Sequence, residues 1–335
     1  MENNFEPIAT PQYETDVQPS HHSLRPKQAY SPIAIIAICF AFFVVGNVIG
    51  SLIMLGMAAA NGMDFREVLG SVDANSPIGT RNFMRATLFL NHLFSFILPA
   101  LATVIFAYKR LWVNYLQLDK KPRFESILLG ATWFVVSIPF VQFAYQLNQK
   151  LPLPQWMLNL ENDTSHLLEA IIAQNNFYEI VINVLLIGVI PAIGEEMIFR
   201  GVIQQQIGRL LKNEHVVVWL SAAIFSAIHM QFQGFFARML LGALLGYLFI
   251  WTKNLWVPMT LHLLNNGLQV IGIYALGIKP SEMDKMTDTD KMPWWLGILS
   301  LIAAVGLGVY IQKIHQKPSE NQAILENTEG SNSET

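Results

Sequence analysis

The sequence predicts an all-α, polytopic membrane protein of about eight transmembrane helices built round an intramembrane active-site cavity. Three observations predict it. Of 335 residues, 53% are hydrophobic and only 13% charged, against roughly 25% charged in an ordinary soluble domain. Apolar runs of about the 20 residues that cross a bilayer recur along the chain. Ionisable side chains sit inside some of those runs, where a charge costs at least about 2.5–3.5 kcal/mol and marks a working site by default.

The elements follow in order. The first 30 residues are polar, carry Pro7, Pro11, Pro19 and Pro26, and read as a disordered tail. The first apolar run, about Ser31–Ala59, is too long for a signal-peptide core and reads as an uncleaved span. After a polar loop with Asp64, Arg66, Glu67 and Asp73, a second span, about Met84–Tyr108, contains Asn91 and His92. A basic connector holding Lys109, Arg110, Lys120, Lys121 and Arg123 leads to a third span, about Ser126–Leu147. Beyond Pro152 and Pro154, the apolar spacing of Trp156–Gln174 suggests a short interfacial helix. The fourth span enters at about Phe177, is loosened by Gly188, Pro191 and Gly194, and continues into an amphipathic piece, Val202–Leu211. The fifth to eighth spans fall at about Val216–Met230, Phe235–Ile250, Leu255–Leu276 and Trp294–Ile311, with Trp251, Trp256, Trp294 and Trp295 as interfacial anchors. From about Lys317 the chain is again polar and reads as a disordered tail.

Counted by side, one face holds Arg25, Lys27, Lys109, Arg110, Lys120, Lys121, Arg123, Arg200, Arg209, Lys212, Lys253, Lys313 and Lys317, thirteen in all. The other holds eight: Arg66, Arg81, Arg85, Lys150, Arg238, Lys279, Lys285 and Lys291. The excess of Lys and Arg places both termini in the cytoplasm of a multi-pass protein of the cell membrane. Net charge is only −3 with no basic cluster interleaved with aromatics, which argues against a nucleic-acid partner. The single cysteine, Cys39, excludes an internal disulfide and any multi-cysteine metal site.

The informative stretch is Gly194-Glu195-Glu196-Met197-Ile198-Phe199-Arg200-Gly201, which follows directly on the mostly apolar run Phe177–Ala192. Glu196 and Arg200 are i and i+4 with the acid first, the favourable order on a helix. Glu195 points about 100° away and lacks that local partner. One carboxylate is thus clamped and one is left for chemistry. In the fifth span, Phe225 and His229 share a face at i and i+4; in the seventh, His262 and Asn266 do, with Asn265 a close second. Either pair alone is better explained by polar groups bonding across helices.

Depth makes the groups converge. In a hairpin turning near Lys212-Asn213, Glu195 lies 17 residues before Lys212 and His229 lies 17 after it. At 1.5 Å per residue both sit about 25 Å from the turn. His262, nine residues beyond Lys253, lies about 14 Å below another turn on the same side. A cavity open toward the cytoplasm could collect Glu195, His229, His262 and Asn266.

These groups suit hydrolysis. Desolvation in an apolar cavity makes a carboxylate a better general base for water, and two imidazoles and an amide can hold an oxyanion. Alternatively, His229, His262 and Glu195 form a two-histidine, one-carboxylate set for Zn²⁺ with water in the fourth position. No HExxH, Gly-x-Ser-x-Gly or Gly-x-Gly-Asp motif occurs in the chain. Ser226 shares a helix with His229 and is expected to bond its own helix backbone.

Glu-Glu-x-x-x-Arg, Phe-x-x-x-His and His-x-x-x-Asn, in that order in apolar helices over roughly Tyr178–Ile273, resemble the CPBP family: type II CAAX prenyl endopeptidases and their Abi and bacteriocin-processing or immunity relatives. The resemblance implies an intramembrane endopeptidase with a cavity reached from the cytoplasmic side. Glu195 would activate water; His229, His262 and Asn266 would position it and stabilise the intermediate. Glu196 and Arg200 would hold the fourth helix, and Phe225 would line the site. A metalloprotease and a metal-independent glutamate mechanism are both implied. The substrate would be a membrane-associated peptide or protein in the lipid bilayer, CAAX-type or bacteriocin-like. The chain then divides into a tail (1–30), N-terminal helices and loops (31–175), a CAAX-protease-like catalytic core (176–275), a loop with the last helix (276–316) and a second tail (317–335). The rival readings are a catalytically silent immunity or scaffold protein and a transporter, which would favour internal repeats and paired broken helices.

Overall fold

The computed structural model describes residues 30–173, 176–277 and 292–316, with the side chains of 162, 163, 165 and 166 excepted. The tails expected at 1–30 (save Tyr30) and 317–335 lie outside the described residues, as does most of the loop before the last span. Among the described residues every regular element is a helix and no strand occurs.

Six helices are long and apolar enough to cross a membrane. They are α1 (Pro32–Ala60), α3 (Ile78–Tyr115), α4 (Phe124–Gln149), α6 (Phe177–Leu210), α8 (Phe235–Thr252) and α10 (Trp294–Gln316). Between them lie α2 (Phe65–Ser71), α5 (Gln155–Ile172), α7 (Glu214–Ala227) and α9 (Trp256–Ala275). The fifth and seventh expected spans are present as helices but fall outside the six, for different reasons. With 14 residues, α7 is about 21 Å long, short of a hydrocarbon core of about 30 Å. The 20-residue α9 is long enough, but His262, Asn265, Asn266 and Gln269 dilute its apolar character.

Polar caps set several boundaries. Ser31 accepts from Ala34 N at 3.2 Å before Pro32 in the first turn of α1. Asp64 caps α2, Asn176 caps α6 through Glu179 N at 3.1 Å, and Asn213 caps α7 through His215 N at 2.9 Å. Each satisfies a backbone donor left over at a helix start. Trp133, Tyr247 and Trp251 stack in the core shared by α4 and α8. Trp251 is buried and so is a packing residue; only the other three expected anchors, Trp256, Trp294 and Trp295, are exposed.

The helix that carries the glutamates, α6, is the hub, packing against α1, α3, α7 and α9. It does not break where loosening was expected. Instead it winds wider, with π turns at Val184–Val189 and Met197–Gln204, and its glycines serve close approach. A Cβ on Gly194 would stand 2.9 Å from Ile97 Cγ1, and one on Gly188 3.1 Å from Leu263 Cδ1. Hence α6 presses against α3 and α9 at those two points.

Arg81 and Arg85 do not sit free near a loop. Both are buried and pair with Glu179 Oε2 at 3.1 and 2.8 Å. Arg85 also donates to Asn183 Oδ1 (3.0 Å) and, with Arg81, to the carbonyl of Ala173. This cluster ties α3 to the end of α5 and the start of α6.

Candidate active site

Glu195 is buried on α6, and three imidazoles surround its carboxylate. His229 Nε2 and His262 Nε2 each lie 3.8 Å from Glu195 Oε2. His92 Nδ1 lies 3.8 Å from the other oxygen, Oε1. The hairpin of α6 and α7, turning at 211–213, brings Glu195 and His229 to one height, and α9 supplies His262. A separation of 3.8 Å exceeds a direct hydrogen bond. It leaves the carboxylate facing basic nitrogens across a gap that a small protic group can bridge.

The outer nitrogens fix the tautomers. His229 Nδ1 is 2.7 Å from Phe225 O; a carbonyl only accepts, so Nδ1 carries the proton and the neutral ring offers an Nε2 lone pair. His262 Nδ1 is 2.8 Å from Glu196 Oε1, a carboxylate that likewise accepts. Both rings therefore aim Nε2 at Glu195 with their far sides anchored.

Glu196 is the keystone of that anchoring. Its Oε1 also accepts from Arg200 Nη1 at 2.6 Å, and Arg200 Nη2 donates to Gly242 O at 2.8 Å. The guanidinium lies 4.8 Å from the centre of the Phe225 ring, a cation–π contact. That ring meets His229 and His262 edge-on, at 4.9 and 6.2 Å between centroids. The i, i+4 pair read from the sequence is thus one part of a chain, Arg200–Glu196–His262, that reaches α8 and α9.

Asn266 lines the same cavity, but its amide is engaged elsewhere. Its Nδ2 donates to Ile187 O at 3.2 Å, and its Oδ1 accepts from Asn265 at 2.9 Å. Ser226 departs from expectation, donating to Phe235 O at 2.7 Å across the turn into α8. His92 was visible as a histidine inside an apolar span, but no local spacing tied it to Glu195. Its Nδ1 is buried without a hydrogen-bond partner among the described residues.

Glu195, the three histidines and Asn266 open into a cavity of about 780 Å³ whose other walls are mostly apolar side chains such as Met84, Leu88, Leu168 and Val270. Arg238 of α8 stands in its wall, held by Gln231 Oε1 at 2.5 Å. The imidazole and carboxylate donors are of the kind that binds zinc. Their arrangement is looser: among the described residues no three His, Cys, Asp or Glu side chains are placed to share a metal ion. The residues as placed do not fit a metal.

The cavity also has a direction. It extends toward the face of α2, of α5 and of the turn after α7, away from Tyr30 and the 116–123 connector. A cavity open to the cytoplasm and a cytoplasmic start of α1 therefore exclude each other in this fold.

Comparison with known proteins agrees with this architecture. Residues 177–268 match the family described as Type II CAAX prenyl endopeptidase Rce1-like. The chain is 29% identical over 161 residues to "Uncharacterized protein YpbD" of Bacillus subtilis (strain 168), covering 47% of this chain and 76% of that protein. It is 29% identical over 115 residues to "Membrane-embedded CAAX protease MroQ" of Staphylococcus aureus (strain USA300), covering 33% of this chain and 45% of that one. No solved structure matches. Long apolar helices and a membrane-embedded relative make this an integral, multi-pass membrane protein. Residues 177–268, which carry Glu195, His229, His262 and Asn266, are thus similar to the Rce1-like type II CAAX prenyl endopeptidase family.

Proposed function

We propose that the chain is an intramembrane endopeptidase that hydrolyses a peptide bond of a membrane-associated substrate, CAAX-type or bacteriocin-like, with residues 176–275 as its catalytic core. The observation that carries this reading is the convergence of His229, His262 and His92 on the Glu195 carboxylate inside an otherwise apolar cavity. In this reading α7 and α9 are held within the bilayer beside the six longer helices, giving eight, in the cell membrane with both termini cytoplasmic. Their polar groups face the cavity, where irregular or polar structure is tolerated.

The chemistry follows from the donors. Glu195 removes a proton from water as the oxygen attacks the substrate carbonyl, forming a tetrahedral oxyanion. With Nδ1 protonated, His229 and His262 present Nε2 lone pairs that accept the attacking water's second hydrogen and hold the water in line, and they stabilise the intermediate by accepting from its hydroxyl. Collapse breaks the C–N bond, and the proton held by Glu195 passes to the leaving amine. Asn266 adds its remaining amide hydrogen to the oxyanion, and His92 Nδ1 faces the second carboxylate oxygen from 3.8 Å. Glu196, Arg200 and Phe225 keep the rings in place.

The deciding experiment is cleavage by detergent-purified protein, with metal content measured beside it and a chelator added in parallel. Prenylated CAAX-type peptides serve as the probe, with a membrane-proteome comparison of wild type and Glu195→Gln. Cleavage that needs Glu195 and survives the chelator supports the glutamate mechanism. Stoichiometric zinc with chelator-sensitive cleavage would make the same three side chains ligands. Normal function in Glu195→Gln would instead point to a scaffold.

A further inference from the structure

Every polypeptide turn that borders the cavity is on the same face of the molecule. Phe65 and Leu69 of α2, Leu167 and Ile171 of α5, Gln231 after α7 and Ile273 at the end of α9 line it. The turn after α7 is bound to the end of α4 and to α5: Asn148 Nδ2 donates to Phe232 O at 2.9 Å, and Gln233 N donates to Glu161 Oε2 at 3.0 Å. The opposite helix ends form a second face. There Arg209 Nη2 reaches Tyr30 O at 3.4 Å, Asn254 Nδ2 reaches Lys120 O at 2.9 Å, and Ser126 Oγ meets His315 Nε2 at 2.9 Å. The start of α1, the 116–123 connector, the turns at 211–213 and 253–255 and the end of α10 therefore lie together, away from the cavity.

Charge separates the two faces more sharply than a bare count does. The thirteen against eight Lys and Arg include four that no membrane surface sees. Arg200 on one side, and Arg81 and Arg85 on the other, are buried, while Arg238 lines the cavity. Among the described residues, setting those four aside leaves nine on the face away from the cavity and two, Arg66 and Lys150, on the cavity face. The face rich in Lys and Arg is the cytoplasmic one. We propose that the cavity opens at the non-cytoplasmic face of the membrane, and that the polypeptide it takes is exposed on that face. The second half rests on the peptidase reading; the first does not.

Cys39 is the only cysteine in the chain and is buried, so introduced cysteines report against a quiet background. Asn75→Cys marks the cavity face and Glu214→Cys the other; both positions are exposed, and neither change alters the Lys and Arg count. Intact cells making the full-length protein are treated with a membrane-impermeant maleimide, before and after permeabilisation. Asn75→Cys is expected to label in intact cells and Glu214→Cys only after permeabilisation. The reverse order, or labelling of Asn75→Cys only after permeabilisation, overturns the proposal. Gly70→Cys, where a Cβ meets nothing within 4 Å, replaces Asn75→Cys should that variant fail to accumulate. In parallel, peptides from the medium and cell surface and from the cytosol are compared between wild type and Glu195→Gln. Glu195-dependent fragments outside support the substrate half, and fragments confined to the cytosol overturn it. Fragments in neither fraction overturn the peptidase reading, while the maleimide result still decides the mouth.

Discussion

At the scale of single residues, four side chains separate chemistry from scaffold. Glu195→Gln and His229→Ala are expected to lower cleavage by at least about 10²-fold, the low end for loss of a general base or acid, with expression retained. Near-normal turnover by either would remove it from the site. Glu196 has a different task, because Arg200 and His262 share its Oε1. Glu196→Gln is accordingly expected to lower the melting temperature more than Glu195→Gln does; the opposite order in a thermal-unfolding series would exchange the two roles. His92 acts through Glu195 as a positioning residue. His92→Ala should reduce kcat by up to on the order of 10²-fold, the cost of misplacing a reacting group by about an ångström, with KM little changed. His92→Gln should recover part of it, and a loss confined to KM would rule the role out. Much of this level was legible in the chain. Residues i and i+4 on one helix must be neighbours, so Glu196–Arg200 and Phe225–His229 follow from spacing alone. The Glu196–His262 bond and the approach of His92 join residues 66 and about 100 positions apart, which no local periodicity encodes.

At the scale of elements, α6 is held by close backbone approach and by buried charge. Gly194 sits against Phe96 and Ile97 of α3 with no room for a larger side chain. Gly194→Val should therefore force α6 away from α3 and cost about 1–3 kcal/mol by overpacking. The check is a lower melting temperature together with reduced cleavage. Unchanged values of both would show that the helices part without penalty. The Arg81–Arg85–Glu179 cluster makes a sharper case. Glu179→Ala leaves two guanidinium groups buried without their carboxylate, a loss of about 3–5 kcal/mol, while Glu195 and its histidines are untouched. Protease sensitivity of the α5–α6 region should rise accordingly. Sequence reading counted these arginines among the charges of one membrane face because it sees a charge beside an apolar run, not the acid that pairs with it, 94 positions from Arg85. It read Gly188 and Gly194 as loosening for a similar reason: a missing Cβ has two uses, flexibility and contact, and only the neighbouring helix distinguishes them.

At the scale of the molecule, the helices divide the protein into a charged face and a face with a cavity, and the accessibility of introduced cysteines tests which side of the membrane each occupies. The all-α, membrane-spanning class was determined by the sequence itself, because few charges and repeated apolar runs leave a chain no other way to satisfy its backbone in lipid. So was the list of polar groups worth attention, since a charge inside such a run is costly wherever the helices go. The tertiary structure alone decided which of those groups meet and at what distance. It also decided that α9 gives up apolar character to line the cavity and that the cavity lies away from the start of α1 and the end of α10. The reason is geometric: burial cost is a property of each residue and can be read along a line, whereas convergence and sidedness depend on how separate helices cross, and that is set by packing contacts between residues far apart in the chain.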